Sequence, residues 1–121
     1  MVVKALVQHL QCSHEEISIY FVTTKQICAL HDEFFDDPSP TDCISFPIDE
    51  HHLGEIFVCP ETAVKYAQKH NLDPRQELTL YLVHGILHCL GFDDLSPPEK
   101  RIMRKKEKHC MHFLEAHKLI L

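Results

Sequence analysis

The chain has 121 residues, of which 45% are hydrophobic and 25% are charged, and this composition is usual for one globular domain. Its formal charge of −6 argues against indiscriminate binding to nucleic acid, which is a polyanion. No apolar run approaches the roughly 20 residues of a membrane-spanning helix, and residues 1–30 lack a signal-peptide pattern, so we expect a cytoplasmic protein.

The first half of the chain predicts helices mixed with strands. Apolar residues recur at helical spacing in residues 3–10 and 24–35. Runs of β-branched and aromatic residues predict strands over 16–23, 43–47 and 53–59. The elements do not follow a regular strand–helix–strand alternation, so we expect a single α+β domain with a small mixed sheet packed against helices.

The second half predicts a central helix that begins at Pro74. Asp73 is placed to cap this helix, Gln76 to complete a capping box, and Gly91 to end it. Because residues 78–90 are apolar on nearly every side, the helix should lie in the centre of the domain.

A helix is also predicted on each side of the central one. The preceding helix begins at Pro60 and extends to about His70. The last helix has Ser96 as its cap and Glu99 reaching back to it, and it extends to about His117. Its inward-facing residues are Met103, Cys110, Phe113 and Leu114.

The cysteines are scattered singly, without the CxxC pairs of zinc ribbons or thioredoxin-like proteins. We interpret them as reduced core residues, which is the commoner case in a cytosolic domain. They are Cys12, Cys28, Cys43, Cys59, Cys89 and Cys110.

The segment HGILHCLGFDD, residues 84–94, predicts a metal site. His84 and His88 are one helical turn apart, so both rings can bind one ion. A lone histidine on an apolar face is more often a satisfied core residue, but two buried imidazoles each need a partner. A chain that folds back after Gly91 brings Asp94 in as a third ligand and Asp93 as a carboxylate that orients a ligand. Three protein ligands with an open fourth position are typical of catalytic zinc.

The same segment has two other interpretations. The pair could be core histidines followed by an ordinary acidic helix end. A zinc protease is disfavoured, because the segment has HGxxH and lacks the glutamate of HExxH, which serves as general base. Gly85, at the glutamate position, would leave space beside the metal for another backbone or a substrate.

Three segments together resemble the YbeY family of metal-dependent endoribonucleases. Residues 84–94 are similar to the family's HGxLHLxGYDH, the sequence TDCISFP at 41–47 to its TDVLSFP, and LGEI at 53–56 to its LGDI. Their order and spacing agree, and the resemblance extends over nearly the whole chain.

The resemblance implies an α+β fold with one zinc ion at an end of the central helix. It also implies hydrolysis of single-stranded RNA during maturation of the 3′ end of bacterial 16S ribosomal RNA and in ribosome quality control. The implied partners are precursor ribosomal RNA and the ribosome or its assembly proteins, with no membrane.

The third ligand departs from the family pattern, since Asp94 replaces a histidine. A carboxylate can bind zinc, and sites with two histidines and a carboxylate are catalytically competent. The negative charge of the Asp94 carboxylate makes the ion a weaker Lewis acid, and a carboxylate ligand is also compatible with a harder metal such as Mn²⁺.

Two further departures concern charge and chain order. Family members usually carry a phosphate-binding arginine six residues before the motif threonine, where this chain has Phe35. Arg75 or a residue of the basic segment 100–108 could substitute, although that segment can equally be a solvated helix face. Members also generally begin with a strand, so we expect this sheet, if the sequence is complete, to lack one strand and expose an edge.

The leading hypothesis is a single-metal hydrolase acting on RNA, in which the ion acidifies water and polarises the scissile phosphate. Asp42 and Glu55 are candidate general bases and Ser45 a candidate substrate contact, but each can be an ordinary turn or sheet residue. The rival hypothesis is a catalytically weak, ribosome-associated binding protein with a structural or residual metal. A structural site would close with a fourth protein ligand.

Overall fold

The structure, a computed structural model, describes residues 16–47 and 52–120. Within these ranges it is an α+β domain with three strands and four helices, as predicted. The elements are β1 (Glu16–Phe21), α1 (Thr24–Phe35), β2 (Cys43–Pro47), β3 (His52–Val58), α2 (Pro60–His70), α3 (Pro74–Cys89) and α4 (Pro97–Ala116). The helix predicted over 3–10, and with it the expected missing strand, lies outside the described residues.

The sheet has the order β1-β3-β2, with β1 parallel and β2 antiparallel to β3. Successive side chains of a strand point to opposite faces, so the register separates two apolar layers. Ile56 of β3, with Ile19 of β1 beside it, belongs to the main core under α3. Ile44 of β2 and Ile27 of α1 form a second cluster on the other face. Helices therefore cover both faces of the sheet.

Helix α3 occupies the centre of the domain, as its continuous apolar sequence predicts. It contacts α2, α4, β2 and β3, and half of its residues are buried. The buried residues are Thr79, Tyr81, Leu82, Val83, Gly85, Ile86, Leu87 and Cys89. Side chains at the end of this helix are therefore held by a rigid, well-packed element.

The helix caps agree in part with the predictions. Ser96 and Glu99 form the predicted capping box at the start of α4. At the start of α3 the Asp73 carboxylate accepts a hydrogen bond from the Arg75 backbone, in place of the capping box predicted with Gln76. The predicted inward face of α4 is confirmed: three of its four residues are buried, and Phe113 packs against the same core.

The prediction for Gly85 was wrong, because the space beside this glycine is filled by a side chain of the sheet. A Cβ atom at Gly85 would lie 2.8 Å from Cγ2 and 3.3 Å from Cδ1 of the fully buried Ile56. The glycine therefore allows α3 to approach β3 closely, and it does not make room for a substrate or another backbone.

The described cysteines fit the prediction of core thiols. All five are free, with Cys59, Cys89 and Cys110 buried and the other two half-buried, while Cys12 lies outside the described residues. Among the helices that the structure describes, none combines the length and the hydropathy needed to cross a bilayer.

We predict that Gly85→Ala destabilises the protein although alanine favours helices. Overpacking a rigid core costs about 1–3 kcal/mol, whereas the gain in helix propensity is about 0.5–1 kcal/mol. The net loss of unfolding free energy should be about 1–2 kcal/mol, measurable by urea denaturation. Gly91→Ala is the comparison, because no atom lies within 4 Å of its added Cβ and only backbone strain opposes it. An unchanged or raised midpoint for Gly85→Ala would show that Ile56 can move aside.

Candidate metal centre

Three side chains converge at the end of α3, two from the helix and one from the turn that follows it. The His84 Nε2 atom lies 3.7 Å from Asp94 Oδ2, and His88 Nε2 lies 3.7 Å from Asp94 Oδ1. One ligand atom from each residue falls within 4.8 Å of the other two. The structure thus brings together the three residues that the sequence predicted as metal ligands.

The end of α3 explains how Asp94 returns to the histidines. The Gly91 N–H donates to the His88 carbonyl and the Phe92 N–H donates to the Leu87 carbonyl, which closes the last turn. Gly91 has a φ of 101°, a value that side chains with a Cβ rarely adopt. Phe92 then packs against the core, and the chain reverses over the histidine face.

A second carboxylate stands behind each histidine ring. Glu107 Oε2 accepts a 2.5 Å hydrogen bond from His84 Nδ1, and Asp93 Oδ1 lies 3.6 Å from His88 Nδ1. Both Nδ1 atoms therefore face a carboxylate, while both Nε2 atoms face Asp94. This arrangement fixes the orientation of metal-binding histidines in many proteins.

Glu107 belongs to the site although none of the sequence motifs includes it. It is buried, and its other oxygen accepts a 2.6 Å hydrogen bond from Arg104 Nη1. Burial alone would raise its pKa, but the hydrogen bonds from His84 and Arg104 outweigh burial and lower it. The same bond to Glu107 raises the pKa of His84 against the opposing effect of burial. A signal was present in the sequence, because Glu107 falls at core spacing between Met103 and Cys110.

The group lies at the wall of an open cavity of about 660 Å³. Both His84 and Asp94 line this cavity. Its other polar and aromatic lining residues are Thr41, Asp42, Thr62, Tyr66, Glu77, Tyr81, Arg104 and Glu107. Four of the described lining residues are acidic, and Arg104 is the one lysine or arginine among them.

The other candidate residues are distributed between the two faces of the sheet. Asp42 lines the cavity, and its Oδ1 accepts from the Cys43 N–H, so it also fixes the turn before β2. Ser45 pairs with Ile56, on the α3 side of the sheet. Strand alternation places Glu55 on the α1 side, away from the histidines.

Phe35, which occupies the position of the family's arginine, is not among the residues that line the cavity. Phe35 ends α1, and its ring stacks 6.5 Å from the ring of Phe46. Arg75 is exposed in the first turn of α3, nine residues before His84, or about 13 Å along the helix. Of the suggested substitutes, the structure brings Arg104 to the cavity.

The donor set suits a divalent metal. Two imidazole nitrogens and a carboxylate oxygen are ligands that zinc and related transition metals accept. Their side chains are only partly exposed, at 15% for His84, 25% for His88 and 29% for Asp94. The chain is therefore an α+β domain in which a His/His/Asp group can hold a metal ion.

Comparisons with known proteins place the chain in a family. A sequence model of the family described as "Endoribonuclease YbeY" matches residues 1–115. The chain is 51% identical over 119 residues to the endoribonuclease YbeY of Protochlamydia amoebophila (strain UWE25), covering 93% of this chain and 79% of that protein. It is 42% identical over 131 residues to that of Chlamydia pneumoniae, covering 98% and 82%. The chain therefore belongs to the YbeY family, as its three motifs indicated.

A solved structure supports the same fold. The solution structure of TM1509 from Thermotoga maritima matches with a TM-score of 0.68 and 26% sequence identity, covering 91% of this chain and 74% of that one. The agreement extends over most of the chain and is not confined to the segment that carries the histidines.

We predict that Glu107→Ala weakens metal binding although Glu107 is not a ligand. The loss of an outer-shell partner of a metal-binding histidine typically lowers affinity about 10–100-fold. Binding should be measured by competition with a chromophoric chelator, using Zn²⁺ and Mn²⁺ separately. Glu115→Ala, an exposed position on the same helix, is the matched control and should leave both affinities unchanged. Equal affinities in the two variants would contradict a role for Glu107 in orienting His84.

Proposed function

We propose that the chain is a metal-dependent endoribonuclease that hydrolyses single-stranded RNA. The observation that carries the proposal is the convergence of two imidazoles and a carboxylate, of which His84 and Asp94 line an open cavity, with a further carboxylate facing each ring. Family membership supports the substrate class, because the relatives carry the name endoribonuclease.

His84, His88 and Asp94 would hold the cation, which we propose to be one Zn²⁺ per chain. When bound, such a cation would acidify water and neutralise charge on a scissile phosphate. Mn²⁺ is the second candidate, because a carboxylate is a harder ligand than the imidazole that the family motif has at this position.

The residues around the group contribute orientation. Glu107 holds the His84 ring by a hydrogen bond, and Asp93 lies 3.6 Å from the His88 ring, while both Nε2 atoms face Asp94. Because α3 packs against α2, α4, β2 and β3, the backbone that carries His84 and His88 is held in place, which reduces the reorganisation that the reaction requires. The cavity volume of about 660 Å³ is sufficient for a nucleotide-sized group.

Asp42 is better placed than Glu55 to accept a proton from the attacking water. Asp42 lines the same cavity as His84, whereas Glu55 belongs to the α1 side of the sheet. The hydrogen bond from Cys43 N–H to Asp42 Oδ1, 2.7 Å long, fixes the carboxylate at the cavity wall. A proton acceptor must lie within hydrogen-bonding reach of its substrate, and Asp42 shares its cavity with His84 and Asp94.

We propose a cytoplasmic role in maturation of the 3′ end of 16S ribosomal RNA and in ribosome quality control, with precursor RNA and the ribosome or its assembly proteins as partners. The match over residues 1–115 to the endoribonuclease YbeY model supports RNA as the substrate, and the ribosomal role is what the resemblance of the three motifs implies. The rival hypothesis, a ribosome-associated binding protein with a structural metal, is less consistent with the site. Structural zinc sites are usually closed by four protein ligands, whereas this group comprises three partly exposed side chains.

We expect His84→Ala and His88→Ala to lose both metal and RNA cleavage. Each removes a ligand, so cleavage of a single-stranded RNA should fall by at least about 100-fold, more than the loss of an outer carboxylate causes. Metal content is measured by mass spectrometry after dialysis. His112→Ala, an exposed histidine on α4, is the control and should match the unmodified protein. Undiminished cleavage in both ligand variants would rule out the proposed metal-dependent activity.

We expect Asp94→His to retain metal but to favour Zn²⁺ over Mn²⁺ several-fold more strongly than the unmodified protein does. An imidazole is a softer ligand than a carboxylate, and it removes one negative charge from the group. The measurement is the ratio of the two dissociation constants at one pH. Asp94→Ala, which leaves two protein ligands, should bind both metals weakly. A ratio that does not change in Asp94→His would mean that Asp94 is not a ligand.

A further inference from the structure

Arg104 connects the cavity wall to the candidate metal centre. Its Nη1 atom donates to Glu107 Oε1, and Glu107 Oε2 accepts from His84 Nδ1. One carboxylate therefore orients both the guanidinium group and the imidazole ring. The Arg104 side chain nevertheless remains 61% exposed, so it borders the cavity and is not enclosed in the core.

The charge of the cavity makes Arg104 unusual there. Asp42, Glu77, Asp94 and Glu107 all line the cavity, and these carboxylates would repel an anionic substrate. A guanidinium group has five N–H donors in a planar fork that matches the oxygens of a phosphate. The bond to Glu107 occupies Nη1 on one side of the fork, which leaves donors that can face the cavity.

We propose that Arg104 binds a phosphate group of the RNA backbone beside the metal centre, in the orientation that Glu107 imposes. The inference rests on the proposed function, since it assigns a phosphate contact to the same cavity. Glu107 shares one hydrogen-bond network with His84 and Arg104, so the metal and the guanidinium group are held in fixed relation to each other. A phosphodiester would thus meet two cationic groups in an otherwise acidic cavity.

The test must separate a phosphate contact from an indirect effect through Glu107. Arg104→Ala, Arg104→Lys and Arg101→Ala are compared in the metal-loaded protein. Arg101 is the matched control, because it is an exposed arginine one turn earlier on α4 and is not among the residues that line the cavity. Binding of a single-stranded 2′-O-methyl oligonucleotide is followed by fluorescence anisotropy at several salt concentrations, and its integrity is checked afterwards. Zinc affinity and RNA cleavage are measured in parallel.

Arg104→Ala should weaken oligonucleotide binding about tenfold or more, the usual effect of losing a hydrogen bond to a charged group. The slope of log affinity against log salt should fall by about 0.7, which corresponds to one phosphate contact on a single strand. Arg104→Lys should recover part of the affinity, because it restores the charge but not the fork. Arg101→Ala should stay within about twofold of the unmodified protein.

Three results would overturn the inference while leaving the proposed function intact. Equal losses in Arg104→Ala and Arg101→Ala would indicate diffuse attraction, and unchanged binding in Arg104→Ala would exclude a contact. A loss of zinc affinity with unchanged oligonucleotide binding would make Arg104 a positioning residue that acts through Glu107. If the unmodified protein neither cleaves RNA nor binds the oligonucleotide, the proposed function fails, and the inference fails with it.

Discussion

The hydrogen bond between His84 and Glu107 is the contact on which the organisation of this site depends. It joins α3 to α4 across 23 residues of sequence, and it places a carboxylate that is only 5% exposed next to the core. Burial of an unpaired carboxylate is costly, so Glu107 requires both of its partners, His84 and Arg104. The packing of two helices, the orientation of the His84 ring and the position of the Arg104 guanidinium group therefore depend on the same side chain.

The fold places this network at the end of a helix that has little freedom to move. Helix α3 is apolar on nearly every side, and helices and strands surround it, so the rings of His84 and His88 start from a fixed backbone. Asp94 reaches the two rings through a short turn that depends on the positive φ of Gly91 and on the packing of Phe92. Ligands on rigid elements keep their geometry better than ligands on long loops.

Local patterns in the sequence were sufficient for most of the fold and for the convergence of His84, His88 and Asp94. Helical spacing placed His84 above His88, and the glycine after the helix indicated the reversal that brings Asp94 back. Contacts between distant segments could not be read in this way. Nothing near Gly85 in the sequence identifies Ile56 as its neighbour, and the partners of Glu107 depend on how two helices pack. A charged residue at core spacing on α4 did signal a buried partner, but not which one.

Asp94, in place of the histidine of the family motif, adds a negative charge to the cavity. A histidine ligand is neutral when it binds metal, whereas Asp94 brings a negative charge to a group that already has Asp93 and Glu107 behind its rings. A divalent cation held here would therefore present less net positive charge to an incoming phosphate. With Asp42 and Glu77 also lining the cavity, attraction for an anion has to come from elsewhere in the wall. In our proposal Arg104 provides this attraction, and Glu107 holds both Arg104 and His84 by hydrogen bonds. The negative charge that Asp94 adds and the positive charge of Arg104 therefore offset each other beside the same cavity.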